Sequence, residues 1–444
     1  MQTSNPLRTA IKQNMRKRGY NFSALSDRSG IPRGSLSLIF VGGASRRSPM
    51  SFQHLIRISE ALGLPEDAFF DLYVDECFVG GRPNRSRIEP FLERCIELGH
   101  PNCVDRVLDK LNGEPRYLPL LFQIAENTHQ DGTKSITERL YEYLLLHNGS
   151  RHSVEVAICH YRLFLLRLGE DEEVNSKALN AFSPYRDNLP DEFKLEALLA
   201  MCSLNLSRMD ADELEASAEE LIALCLRLFG TRDRPPAVPF VPEHSLPRPA
   251  LCYYSQGYIM KQIALCERGD YREAMLYSEM YGDLSWLSDD DPKDQQKLQT
   301  LQEVAYATHL GCELLDGNSE VLPEYVGLLE AYPRETASGL IVMLKTANRH
   351  ALDIDEWLRR FPLDLEYTMS LQDNAYNKQV TRNRFARLLY QLSIYHYSRG
   401  RVEESLQTAL QSWELSHQLN NHRMFRLLAS LTLMYSGQCE PTDL

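Results

Sequence analysis

Apolar positions recur at helical spacing through most of this chain. Leu7, Ile11 and Met15 share one face of a first helix, which Gly19 stops. Residues 20–40, YNFSALSDRSGIPRGSLSLIF, read as two further helices joined by a glycine turn. Leu25, Ile31, Leu36 and Ile39 supply their inward contacts. Gly30 falls where the chain must reverse, in a left-handed conformation that costs more for any residue with a β-carbon. Ser23 is the expected N-cap of the second helix, and Pro32 suits the first turn of the third. Phe52, Leu55, Ile58 and Leu62 mark a fourth helix ended by Gly63, and the stretch to Tyr73 completes a small five-helix domain.

The pattern therefore predicts an all-α head over residues 1–75. The polar, glycine-bearing stretch GGRPNRSR (80–87) predicts a linker, set at 76–90. From 91 to 444 almost everything patterns as helices of modest length, and clear β alternation is absent. Two helix pairs carry a repeat scheme. In 258–281, Gly269 makes the turn and Tyr271 and the small Ala274 follow; in 389–413, Gly400 makes the turn and Ser405 and Ala409 follow. Segments 154–180, 193–228, 301–331 and 335–361 fit the same pairing with a degenerate signature. A pair of this kind cannot bury its apolar face alone, so the pattern predicts a stack, an α-solenoid with a concave wall suited to an extended peptide or a partner helix. Six prolines within 232–249 predict an exposed loop interrupting the array at 230–249.

Charge sharpens the reading of the head. Through Ile58 there are ten basic residues (Arg8, Lys12, Arg16, Lys17, Arg18, Arg28, Arg33, Arg46, Arg47, Arg57) against one acid, Asp27. The whole 444-residue chain carries −13, so the rest is strongly acidic. A basic head on an acidic body is expected where only the head meets a polyanion; a solvated basic face is the plain alternative. With the two-helix motif in the same segment, the expected ligand is double-stranded DNA, the third helix lying in the major groove. Its outward positions are Arg33, Gly34, Ser35, Ser37 and Leu38. Arg33 is the first choice for a base edge, because its fork matches guanine. Gly34 allows close approach to the DNA backbone. Asn21, Ser23, Arg46 and Arg47 are better placed for phosphates, which fix position rather than sequence.

Little points to catalysis, and no enzyme is expected. No Walker loop, HExxH, GxSxG or dinucleotide glycine pattern occurs. VGGAS (41–45) is a lone glycine pair in a loop, and DDDPKD (289–294) lacks the spacing of a calcium loop. His309 and His396 sit in apolar helices and read as satisfied core residues. No cofactor or metal is expected. The ten cysteines form no CxxC and fall mostly in apolar helical patterns, as free thiols in a reducing compartment do. No stretch is long and apolar enough to cross a bilayer, and the first residues lack the apolar run of a secretory signal, so a cytoplasmic protein without a membrane partner is expected.

Residues 7–73 resemble the phage-repressor-type (Xre-like) helix-turn-helix domain, through Leu25, Gly30-Ile31, Leu36, Ile39, Pro49, Leu55, Ile58, Leu62-Gly63 and Phe70. The usual glutamine at the start of the second helix is missing, which removes one phosphate contact. The pairs at 258–281 and 389–413 resemble tetratricopeptide repeats. An Xre-like head on such a body resembles the peptide-responsive RRNPP regulators of Gram-positive bacteria and their phages, and FFDLYVDECF followed by helical pairs is similar to the arbitrium receptors. The resemblance implies a right-handed repeat solenoid, a homodimer, and a short signalling peptide in the groove that alters DNA binding. It also implies asparagines gripping the peptide backbone, for which Asn205, Asn348, Asn377 and Asn383 are the candidates, with Arg382 and Arg384 for an acidic group or the peptide carboxylate. Two alternatives stay open: a body that is a protein-docking scaffold, and a head that no longer binds DNA.

Overall fold

The structure is a computed structural model. It describes residues 5–41, 48–129, 134–150, 152–231, 233, 246–287, 292–370 and 375–437. Among these the chain is all-helical, with no strand. It divides into two compact units, Met1–Leu166 and Arg167–Leu444.

The first unit contains α1 (Pro6–Lys17), α2 (Phe22–Ser29), α3 (Arg33–Phe40), α4 (Phe52–Ala61), α5 (Phe70–Tyr73), α6 (Arg85–Glu97), α7 (Pro101–Leu111), α8 (Leu118–Thr128), α9 (Lys134–His147) and α10 (Val154–Arg167). The periodic residues of α1 to α4 are buried as expected, Leu7, Ile11, Leu25, Leu36, Leu55 and Ile58 completely. Gly30 has φ +66°, the left-handed turn the sequence required. One cap differs. Asn21, not Ser23, caps α2, its side chain accepting from the Ala24 N–H at 2.9 Å. The exit from α1 decides this. Gly19 at φ +69° and the Tyr20 N–H to Met15 carbonyl bond close the helix end and deliver Asn21 in an extended conformation.

The expected linker at 76–90 is instead built into this core. Glu76, Cys77 and Ile88 are buried, while Val79–Arg82 and the start of α6 at Arg85 and Ser86 are solvated. Phe91 of α6 packs edge-on against Phe52 and Phe70, with ring centroids 5.5 and 5.4 Å apart, and lies 5.2 Å from Tyr73. Arg94 forks onto Glu66 at 2.8 and 2.6 Å. A single hydrophobic core therefore runs from Leu7 to Leu163, and the division between units falls after it.

The second unit contains α11 (Glu172–Phe182), α12 (Asp191–Ser207), α13 (Ala211–Phe229), α14 (Ala250–Arg268), α15 (Tyr271–Gly282), α16 (Pro292–Asp316), α17 (Leu322–Ala331), α18 (Thr336–His350), α19 (Asp355–Leu358), α20 (Leu365–Ser370), α21 (Ala375–Ser398), α22 (Val402–Gln418) and α23 (His422–Tyr435). Each long helix packs on the next, α12 on α13, α13 on α14, α14 on α15 and α15 on α16, then α16 on α18, α18 on α21 and α21 on α22. Turns of two or three residues, with Gly269 at φ +92° and Gly400 at φ +73°, make their flanking helices antiparallel. Ala274 and Ser405 are fully buried at the two expected close approaches. Most of the 230–249 loop lies outside the described residues. The core is split into successive clusters between neighbouring helices.

The second unit also closes on itself. Helix α12 touches α21, the Glu172 N–H donates to the Leu419 carbonyl at 3.1 Å, and Asn420 Nδ2 donates to Asp171 Oδ2 at 2.6 Å. His396, expected as a satisfied core histidine, has its Nδ1 buried without a hydrogen-bond partner, and burial holds its pKa below the usual value.

Candidate functional sites

In the first unit, α3 presents Arg33, Gly34, Ser37 and Leu38 to solvent, with Ser35 half-buried. Leu38 is 58% exposed, beside the buried Ile39. No side chain caps the N-terminus of α3, which leaves its first N–H groups available to an anion. Asn21 is exposed but its Oδ1 is engaged as a cap; Ser23 is half-buried within α2. Arg46 and Arg47 lie outside the described residues.

The far end of α3 is held from α1. Arg8 Nε donates to the Ile39 carbonyl at 2.8 Å and Lys12 Nζ to the Phe40 carbonyl at 3.0 Å, two cations on the negative end of the helix. Arg8 also pairs with Glu76, and both are buried. Glu76 accepts in addition from Asn5 Nδ2 and from the Met50 N–H, each at 2.9 Å. Arg8 Nη2 reaches the Ser48 carbonyl at 3.1 Å, so one guanidinium fixes both α3 and the chain that follows it. Two of the ten basic residues thus build the domain. Arg16, Lys17, Arg18, Arg28, Arg33 and Arg57 remain exposed. Arg8 and Glu76 were not singled out from sequence, although a buried acid within the apolar FFDLYVDECF run was the available signal.

In the second unit three of the candidate asparagines, Asn205, Asn348 and Asn383, are buried and bonded within the protein. Asn205 Nδ2 donates to Ser217 Oγ at 3.1 Å, and Asn348 Nδ2 to the Gln391 side chain and backbone carbonyls at 3.0 Å. Asn383 Nδ2 donates to Ser207 Oγ, and its Oδ1 accepts from Asn421 Nδ2, both at 2.8 Å. The Oδ1 atoms of Asn205 and Asn348 are buried with no hydrogen-bond partner. Arg382 is paired with Glu170 at 2.8 Å, and Arg384 is half-buried. Asn377 lies on α21, with its side chain outside the described residues. Of the candidates whose side chains are described, Asn383 joins a larger polar constellation. Beyond Asn421 opens a cleft of about 220 Å³ whose lining includes Glu172, Arg208, Asp210, His422, Arg423 and Arg426.

This cleft carries both signs of charge. Arg423 lies 3.6 Å from Asp210, and Arg208 3.9 Å from Glu172. Burial pushes the Glu172 carboxyl up to about 7, and Arg208 only partly offsets it. Its residues come from the start of α11, the α12–α13 turn and the start of α23. No sequence window contains them, so nothing in the periodicity marked Arg208 or Arg423. Among the described residues no group of His, Cys, Asp or Glu is arranged to hold a metal ion, and no helix is long and apolar enough to cross a membrane. No model of a known protein family matches the chain, and no curated protein matches it.

Proposed function

We propose that this chain is a sequence-specific DNA-binding transcription regulator. In this reading residues 7–73 act as an Xre-like helix-turn-helix domain. The second unit is a tetratricopeptide-like solenoid that receives a short signalling peptide, and two copies bind two half-sites. The observation that carries it is the solvent face of α3, where Arg33, Gly34, Ser37 and Leu38 stand on a helix whose other side is core. Arg33 offers the planar fork that pairs with guanine, and Leu38 an apolar contact for a thymine methyl. Exposed Arg16, Lys17, Arg18 and Arg28 supply charge for phosphates. The peptide part is supported by the mixed-charge cleft, to which Asn383 is linked through Asn421. A peptide preferring one packing of the helices would shift the population, and with it the spacing of two heads.

The test is binding of the purified chain to DNA from upstream of its own reading frame, at fixed salt, with and without synthetic peptides from adjacent small reading frames. Arg33→Ala is expected to lose about tenfold or more in affinity for the preferred site, since a bidentate base contact is worth ~1–3 kcal/mol. Unchanged affinity and sequence preference would remove the DNA reading.

A second reading keeps the head and makes the second unit a docking scaffold. It is favoured by a stripe along the outer face of α22, where Val402, Leu406, Leu410 and Trp413 are each about half exposed. Site-specific DNA binding indifferent to every peptide, with self-association lost in Leu406→Glu/Leu410→Glu, would select it.

A further inference from the structure

The helix order of the second unit brings two cysteines together across an intervening helix. Cys266 lies in the last turn of α14 and Cys312 near the end of α16, and these helices touch although α15 separates them in the chain. The two sulfurs are 3.3 Å apart. Cys312 is buried and Cys266 half-buried, so the pair has one face toward solvent. Gln262 Nε2 donates to Cys312 Sγ at 3.4 Å, and the Tyr281 hydroxyl holds that amide by donating to Gln262 Oε1 at 3.0 Å.

A cysteine without a thiol neighbour differs. Burial pushes the Cys202 thiol up to about 12. At Cys312 the Cys266 S–H and the Gln262 amide outweigh burial and hold the sulfur below the usual thiol range. In a second thiol neighbour pair, Cys95 likewise holds Cys103 below the usual thiol range, against the Asp71 carboxylate 3.6 Å away; what sets that pair apart is that both of its cysteines are buried.

We propose that Cys266 and Cys312 are an oxidative modification site, closing to an intramolecular disulfide when the protein meets hydrogen peroxide. The Cys312 thiolate attacks one peroxide oxygen. An S–O bond forms, the O–O bond breaks, and the departing hydroxide becomes water by taking up the proton that the Cys312 thiol released when it ionised. The Cys266 sulfur then attacks the Cys312 sulfenic acid. An S–S bond forms, the S–O bond breaks, and a second water leaves with the Cys266 proton. Two electrons pass from the thiol pair to the peroxide. The product ties α14 to α16 and encloses α15 in a covalent loop.

The experiment uses the full chain, treated with hydrogen peroxide, blocked with N-ethylmaleimide and digested with trypsin without reductant. The expected product is the peptide 262–268 joined to 298–334, lighter by two hydrogens than the two together and separated again by dithiothreitol. The thermal midpoint of the oxidised protein is expected to rise. In Cys266→Ser, dimedone is expected to trap the sulfenic acid on Cys312. Maleimide on both thiols after peroxide would overturn the proposal, as would a link at Cys95–Cys103 in their place, or a link formed only in denaturant. These readouts in the parent chain do not depend on any variant folding.

Discussion

A buried carboxylate sets the clearest expectation at the scale of single residues. Glu172 has a native pKa near 7 because burial penalises its charged form, against an ordinary value of 4.5. Between those values the folded protein keeps a proton that the unfolded chain has released. Stability contributed by this group therefore falls as pH rises from about 4.5 to 7, and is level above that window. Glu172→Gln keeps the shape and removes the titration. Urea unfolding across pH should show the variant more stable than the parent at pH 8, by on the order of 2 kcal/mol, with the two converging toward pH 4.5. The residues that sequence reasoning found and those it missed differ in one respect. Leu25, Ile31, Leu36 and Ile39 declare themselves by spacing within twenty residues. Arg8 is indistinguishable on that basis from a phosphate-seeking arginine, because its partner Glu76 is 68 positions away.

At the scale of elements, α3 offers two opposed substitutions. Gly34 has ordinary helical backbone, and a β-carbon there meets nothing within 4 Å. Gly34→Ala should therefore stabilise the domain by about 0.5–1 kcal/mol in thermal unfolding and, on the proposed DNA-binding reading, weaken DNA binding, since the added methyl stands on the face proposed to approach the duplex. A gain in stability with unchanged affinity would exclude close approach at this position. The Arg8–Glu76 pair works from beneath. Glu76→Gln leaves a buried guanidinium without its counter-charge and should cost about 3–5 kcal/mol in denaturant unfolding. The start of α2 shows where local reading stops. Asn21 and Ser23 are both good caps, and the choice depends on how α1 ends, a matter of backbone geometry rather than residue preference.

For the molecule as a whole, the all-helical class was legible from periodicity, whereas the first boundary was not. GGRPNRSR has the composition of a linker, yet its flanks carry Cys77, Ile88 and Phe91 into the same core. Composition reports solvent exposure of a few residues; it does not report whether the chain on either side returns to one core. A fragment of residues 1–75 loses Glu76 from beneath Arg8, and Ile88, Phe91 and Leu92 from the core. Removing three such side chains alone forfeits roughly 5 kcal/mol or more, comparable to a domain's whole stability. Circular dichroism should find 1–75 unfolded and 1–166 cooperatively folded. The mixed-charge cleft was illegible for a related reason: Glu172, Arg208 and Arg423 meet only because the second unit closes.

That closure has a consequence for the order in which the protein is made. The partners Asp171 and Asn420 are 249 residues apart. At about 5–20 residues per second, roughly tens of seconds of synthesis separate the emergence of α11 from that of α22 and α23. All the core contacts of the first unit are available before that interval begins. A nascent chain therefore carries a finished head on an unfinished body, with the inner faces of α12 and α21 waiting for each other. The apolar surface of the newborn second unit is left uncovered during this time, and its fold is complete only once the last helices have arrived.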